Sequence, residues 1–276
     1  MSNTLAAVVV LYQLNISQTP NYDLLKNSIT NTNFTLLVYD NSPKAHEDQL
    51  FTYQNVHYFH DATNSGLAKA YNQALQYCQI HQVDLLLLLD QDTQLPVDYL
   101  QRLLQKKLTD EVAVFVPLVK AQGQQISPVY RAGYVNTASK KPAPGVYCGD
   151  LMAINSGTVL TLATMEWLGS FQEEFPLDFL DHWFFYQLNQ AQKKIEVFNT
   201  VIYQELSVLD YRFISLNRYE SIIRSESLFY KKYDTEMFSQ HRKHLLLRTV
   251  KQIFLVKNRK IWKRTLREFL VLMKGK

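Results

Sequence analysis

Asp84-Leu85-Leu86-Leu87-Leu88-Leu89-Asp90-Gln91-Asp92-Thr93 is the stretch whose reading decides the fold. Five consecutive leucines are too few to span a bilayer and too unbroken for an amphipathic helix. They read as a strand buried on both faces, as in a parallel sheet. Beyond them Asp90 and Asp92 stand two residues apart, a spacing that sends both side chains to one side of an extended backbone. Two carboxylates held together repel and shift each other's pKa unless a cation sits between or beside them. A hard cation such as Mg2+ or Mn2+ suits the pair, because it takes one or two carboxylates and completes its shell with water and phosphate oxygens. A solvated, turn-forming Asp pair is the plainer alternative.

Upstream, Ala6 to Leu11 is a short apolar run, Tyr22 to Ile29 is a helix after Pro20, and Phe34 to Tyr39 is a second strand ending in the turn Asp40-Asn41-Ser42-Pro43. Strand, helix and strand in about forty residues form a βαβ unit, which requires a parallel sheet with a right-handed crossover. Such sheets bind ligands at the carboxyl ends of their strands, where Asp40 falls; alone, Asp40 reads equally as a turn residue. Val56 to Phe59 is a third strand, and Asn64-Ser65-Gly66-Leu67-Ala68 opens a helix running to about Ile80. Asn64 is a candidate cap, with Gly66 permitting close approach of a ligand to the helix start. Asn72, a mediocre helix former, is either incidental or used for a hydrogen bond.

Downstream, Pro96 begins a helix over about Val97 to Lys107, and Val112 to Val116 is a further strand. Lys120 to Gly149 is a long polar connection, functional or mobile. Asn155-Ser156-Gly157-Thr158 interrupts an apolar run, and Gly169 ends a short helix. Phe175 to Leu188 sets Asp178, Asp181 and His182 among aromatics, where an unpaired acid is costly to bury and can have a raised pKa. Both acids are base candidates; the alternative, preferred for Asp178, is that they cap the helix continuing to Ala191.

The chain has 276 residues and is 47% hydrophobic, enough for a full core. Cys78 and Cys148 make no disulfide framework, no signal-peptide pattern opens the sequence, and no apolar run approaches transmembrane length. A cytoplasmic protein is expected. The net charge of +4 is unevenly spread: His241 to Lys276 holds twelve Lys/Arg and one acid, Glu268, leaving the first 240 residues at −7. This predicts an acidic catalytic body with a basic tail.

Together, these motifs resemble the inverting family 2 glycosyltransferases, most closely their rhamnosyltransferase-like branch, over about Ala6 to Tyr230. The resemblance implies a GT-A fold, α/β with a mostly parallel central sheet, over residues 1–230, followed by a basic helical extension over 231–276. It places Tyr12 and Gln13 near the base, matches the family's Asp-Asn pair with Asp40 and Asn41, and matches Asn-x-Gly-x-Ala-x-x-x-Asn with Asn64, Gly66, Ala68 and Asn72. The D-x-D signature is Asp90-Gln91-Asp92, the first Asp near the ribose and the second on Mn2+ or Mg2+. Ser156-Gly157 falls near the sugar and acceptor, and Asp181 takes the place of the catalytic base with Asp178 as a second acid. Three departures stand out: Trp183 and Gln187 replace an acid and an Arg after the base, and Gln204 replaces a metal-binding His.

The resemblance implies transfer of a hexose or deoxyhexose, rhamnose favoured, from a dTDP- or UDP-linked donor to a glycan or lipid-linked acceptor in bacterial surface polysaccharide or glycoconjugate synthesis. A catalytically weak nucleotide-sugar-binding scaffold is the alternative. A haloacid-dehalogenase-type phosphatase fits poorly, since Thr93 stands one position too early for D-x-D-x-T and the pair lies far from the N-terminus. Nucleic acid is not expected as a partner, because the tail's aromatics follow an apolar helical face. Trp262, Leu266, Phe269, Leu270 and Met273 recur at helical spacing, as do Leu246, Val250, Ile253 and Phe254, with Lys and Arg beside them. Such helices lie on anionic membrane surfaces, which predicts a peripheral protein at the inner face of the cell membrane. The alternative is docking on the catalytic body or on a second copy as a homodimer.

Overall fold

The computed structural model describes residues 2–131, 141–204 and 215–274. These divide into two compact units, one of residues 2–131 with 141–204 and one of residues 215–274.

The first unit is α/β. Strands β1 (Leu5–Leu11), β2 (Phe34–Asp40), β3 (Val56–His60) and β4 (Leu85–Asp90) lie in the order β3-β2-β1-β4, all parallel. Helix α1 (Tyr22–Ser28) connects β1 to β2, and α2 (Leu67–His81) connects β3 to β4. Every residue of β1 and all five leucines of β4 are buried. Leu85, Leu87 and Leu89 join a core with Leu25, Phe34 and Leu36, which leaves Leu86 and Leu88 for the face against which α2 packs. At full burial each leucine stabilises the fold by roughly 2 kcal/mol, so polar substitution anywhere in this strand is costly.

The chain continues through β5 (Thr93–Gln94), α3 (Tyr99–Leu104), β6 (Val112–Ala121), β7 (Gln124–Ser127), β8 (Val129–Tyr130), β9 (Gly145–Cys148), β10 (Leu151–Met152), β11 (Val159–Thr161), α4 (Leu162–Leu168), α5 (Leu180–Gln190) and β12 (Lys194–Gln204). The sheet extends from β4 as β11-β6-β12-β5, with β12 parallel to β6. The expected mostly parallel central sheet is present, with β11 inserted antiparallel to both β4 and β6, Val159 facing Leu87 on one side and Phe115 on the other, and with β5, β7 and β9 pairing antiparallel at its margins. Gly157 makes the reversal at φ 81°, and its N–H donates to Leu88 O while Leu88 N–H donates to Thr158 O. Its φ is one that strains any L side chain, and a Cβ there would also meet Ile202 Cδ1 at 2.6 Å and Pro117 Cγ at 2.8 Å. The helix expected over Val97 to Lys107 is shorter, Tyr99–Leu104. Within the long connection, β7 pairs with β6 and β9 with β12; its residues 132–140 lie outside the described ones.

The second unit holds α6 (Leu216–Lys232), α7 (Phe238–Leu255) and α8 (Arg259–Lys274), so it reaches further up the chain than the basic segment alone. Tyr219, Ile223, Leu245, Ile261 and Leu272 form its core. The apolar set expected on one free face of α8 is split. Phe269 packs against that core together with the buried Ile261, Thr265 and Leu272, whereas Leu270 and Met273 stay exposed.

Candidate active site

The end of β4 is held from several sides. Asp90 N–H donates to Ser156 Oγ at 3.0 Å, and Ser156 Oγ bonds Thr93 Oγ1 at 2.5 Å, both residues almost fully buried. Asn21 closes the next turn, donating to Thr93 O at 2.6 Å and accepting from Leu95 N–H at 2.9 Å. Because β5 pairs with β12, Thr93 lies opposite Gln204. Gln204 Nε2 consequently stands 3.3 Å from Asp90 Oδ2 and 3.5 Å from Asp92 Oδ1. Residues 205–214, which follow Gln204 in the chain, lie outside the described ones.

Burial, reinforced by the negative charge of Asp92 and then Asp181, pushes the Asp90 carboxyl up to about 7, against the opposing hydrogen bonds of Gln204 and Tyr71. Asp181 moves the other way. Burial alone would raise it, but the charge of His182 and hydrogen bonds from its Nδ1, at 2.9 Å, and its backbone N–H, at 2.8 Å, hold it below the usual range. The raised value expected for an acid among aromatics is therefore not found at Asp181, because that acid is paired. Two nearby carboxyls with pKa values driven apart are suited to different tasks: Asp181 is ionised at neutral pH and can accept a proton, and Asp90 calls for a compensating cation.

The donor set suits a hard divalent cation. Among the described residues no three His, Cys, Asp or Glu side chains come together to hold a metal, so the set is two carboxylates and an amide. Gln204 Oε1 is buried without a hydrogen-bond partner. Turning the amide over brings that oxygen to the two Asp carboxylates, and a cluster of oxygens with no donor among them is what Mg2+ or Mn2+ takes.

At the neighbouring strand ends, Tyr12 N–H donates to Gln91 Oε1 and Gln13 N–H to Ser42 Oγ, both at 2.7 Å, with Tyr12 exposed. Asp40 faces protein instead of open space: it is fully buried and accepts from Ser42 N–H, His46 N–H, His46 Nδ1 and the Tyr58 hydroxyl. Burial would raise its pKa, but these bonds outweigh it and lower the carboxyl to about 2. In this arrangement Asp40 fixes the loop after β2. Asn41 donates its N–H to Leu11 O, and its Oδ1 is buried without a partner.

The Asn64 to Asn72 motif faces the Asp181 side of the site. Asn64 is exposed and is not the cap; Gly66 holds that position at φ 94° and ψ −173°. The close approach at Gly66 is made by protein: Leu67 N–H donates to Pro176 O at 2.6 Å, and a Cβ on Gly66 would lie 2.2 Å from that oxygen. Ala68 is buried. Asn72 clamps the Phe171 backbone, donating to its carbonyl at 3.0 Å and accepting its N–H at 2.6 Å. The motif thus positions the segment leading to Asp178 and Asp181. Asp178 does not cap α5; Phe179 does, in left-handed conformation and without a side-chain bond.

Two contributors escaped the sequence reading. Tyr71 is fully buried with its hydroxyl 3.4 Å from Asp90 Oδ1, and its pKa is raised by burial and by the charges of Asp90 and Asp181. A tyrosine on the buried stripe of a helix needs a partner for its hydroxyl, and that was the available signal. Thr93, the bond partner of Ser156, gave only its place beside the aspartates.

No curated protein sequence matches the chain at a significant level. Among solved structures the fold is similar to that of GalNAc-T7, crystallised with UDP, GalNAc and Mn2+, at a TM-score of 0.56 and 12% identity, covering 99% of this chain and 56% of that one. It is similar also to S. aureus TarS 1-349 in complex with UDP-GlcNAc, at a TM-score of 0.56 and 16% identity, covering 98% and 81%, and to the same fragment with UDP, at 0.51 and 12%, covering 99% and 92%. The chain spans little more than half the length of the GalNAc-T7 chain, and at these identities the likeness concerns the fold alone. The glycosyl transferase family 2 model matches residues 22–161. That stretch is just over half of the chain and includes Asp40, Asn72, Asp90, Asp92 and Ser156; the chain belongs to glycosyl transferase family 2.

Proposed function

We propose that the chain transfers one hexose or deoxyhexose, with inversion, from a nucleoside diphosphate to a glycan or lipid-linked glycan, in bacterial surface polysaccharide or glycoconjugate synthesis at the inner face of the cell membrane. The observation that carries this is the convergence of Asp90, Asp92 and Gln204 at the end of β4, with Tyr71 and the ionised Asp181 beside them. Asp181 takes the proton of an acceptor hydroxyl as that oxygen bonds to the anomeric carbon, the bond to the diphosphate breaks, and the nucleoside diphosphate leaves with its electron pair. Asp92 with Gln204 would hold Mn2+ or Mg2+, and a bound ion supplies charge stabilisation for the departing diphosphate. Tyr12, Gln13 and Asn41 would line the nucleotide, with Asp40 ordering the loop after β2 that carries Asn41. Rhamnose from dTDP-rhamnose is favoured by the family-branch resemblance, whereas UDP-linked donors gain support from the UDP and UDP-GlcNAc in the similar structures.

The second reading, a nucleotide-sugar-binding scaffold, draws on Trp183. The position where relatives carry an acid is a buried indole packed on Phe171. One pair of variants separates the two. Asp92→Ala should abolish metal-dependent donor binding by calorimetry, and Asp181→Asn should keep donor binding while slowing single-turnover transfer by roughly a hundredfold or more. Full transfer by Asp181→Asn would move the base to Asp178; no transfer by the wild type would favour the scaffold.

A further inference from the structure

On α7 of the helical unit the usual partition of residues is largely reversed. Helix α7 turns His241, Leu245, Thr249 and Gln252 inward, three of them polar. Hydrogen bonds tie these inward groups together: Gln252 Nε2 donates to the Tyr219 hydroxyl at 2.9 Å, Thr265 Oγ1 donates to Gln252 Oε1 at 2.6 Å, and Ser227 and His241 pair at 3.1 Å. On the outside, Leu247, Phe254 and Leu255 are 63%, 80% and 60% exposed, with Leu246, Val250 and Ile253 also exposed. A helix shaped only by its own bundle would place these groups the other way round. Contiguous large apolar side chains facing outward mark an interaction surface.

At the corner between α7 and α8 the patch opens into a groove of about 510 Å³ whose lining includes Ile253, Phe254, Leu255, Lys257, Arg259 and Trp262. The cations here differ from those within the bundle. Arg248 and Arg264 are engaged by Glu226 and Glu268, whereas Lys251, Lys257, Arg259 and Lys260 form no ion pair among the described residues.

We propose that this corner is a membrane-docking surface and that its occupant is an anionic bilayer. Leu247, Phe254 and Leu255 enter the boundary between headgroups and acyl chains, and Lys251, Lys257, Arg259 and Lys260 meet lipid phosphates. The proposal rests on the preceding functional reading only for placing the enzyme at a membrane. Charge complementarity selects the occupant. Residues 241–276 carry twelve Lys/Arg against Glu268, so a second copy docked face to face would set two strongly cationic surfaces against each other. An anionic leaflet does the opposite, and each Lys or Arg brought near it strengthens binding about fivefold. Trp262, in the groove lining, has the amphipathic ring that settles at headgroup depth.

The test uses the full-length protein with phosphatidylglycerol or phosphatidylcholine vesicles, scoring the bound fraction by flotation. Binding to the anionic vesicles alone, weakened by high salt, is expected. F254S/L255S and K257Q/R259Q should each lower the partition coefficient by about tenfold or more. Circular dichroism should show both variants folded, since F254S/L255S changes only exposed side chains and K257Q/R259Q only groove-lining ones. Wild-type failure to bind, or undiminished binding by either variant, overturns the proposal. A monomer–dimer equilibrium that F254S/L255S abolishes also overturns it, assigning the face to a second copy. Thermal stabilisation by nucleotide is scored separately in all three proteins; its absence counts against the proposed activity and leaves the vesicle result to stand or fall by itself.

Discussion

Gly66→Ala tests whether the Asn64 to Asn72 motif serves the donor or the segment that carries Asp181. The new Cβ would lie 2.2 Å from Pro176 O, where contacts under 3.0 Å essentially never occur, so helix and loop must separate by about 0.8 Å. The Leu67 N–H bond to Pro176 O, 2.6 Å long, then stretches towards the limit of a hydrogen bond. Losing it costs about 1 kcal/mol, and holding alanine at φ 94°, ψ −173°, a conformation reserved for glycine, costs a further 1–3 kcal/mol. The variant should therefore lose about 2–4 kcal/mol in urea unfolding. Donor affinity by calorimetry should stay within about twofold of wild type, while single-turnover transfer falls by up to about a hundredfold, the scale of a 1 Å misplacement of a reacting group. A large drop in donor affinity with stability unchanged would refute this account, because it would mean that the glycine makes room for ligand and not for Pro176.

Two further outcomes follow from the acidic cluster. The Asp90 carboxyl is pushed up to about 7 from the ordinary 3.8, so across that interval the unfolded chain gives up a proton that the folded one keeps, and metal-free stability falls as pH rises. Asp90→Asn should remove this slope and melt above the wild type at pH 8 without divalent ions; parallel melting curves against pH would refute the assignment. Gln204→His replaces an amide beside Asp90 and Asp92 with a stronger ligand, and should tighten Mn2+ binding by roughly tenfold in calorimetry. Unchanged affinity would remove residue 204 from the metal site.

The sequence was most legible where burial repeats in a simple period. Leu85 to Leu89 read as a doubly covered strand because a parallel strand has no solvent face, and the D-x-D turn followed from its position at the end of that strand. Gly169 was legible as a helix stop and caps α4 at φ 68°. The three-residue β11 was illegible inside a longer apolar run, since its direction is set by the reversal at Gly157 and by partners more than forty residues away. β7 and β9 are short and partly exposed, so their composition matches that of a loop. At the site, single-residue chemistry was visible and partnership was not. Asp40 and Asn72 announced hydrogen bonding, but only the packed chain shows that their partners are the loop after β2 and the Phe171 backbone.

The middle residue of the D-x-D turn is more than a spacer. Gln91 accepts the backbone N–H of Tyr12, and Ser42 accepts that of Gln13, so the exits of β4, β1 and β2 are tied by two crossbars. The Gln91 bond gives a group that settles against Tyr12 a direct route to the Asp90-Asp92 turn, and gives an ion drawn to that turn the same route back. Whatever coupling the bond transmits is reciprocal: if one event changes the affinity for the other, the second changes the first by the same factor. Titrating nucleoside diphosphate with and without Mn2+ reads that coupling directly, as a shift of one affinity by the other ligand.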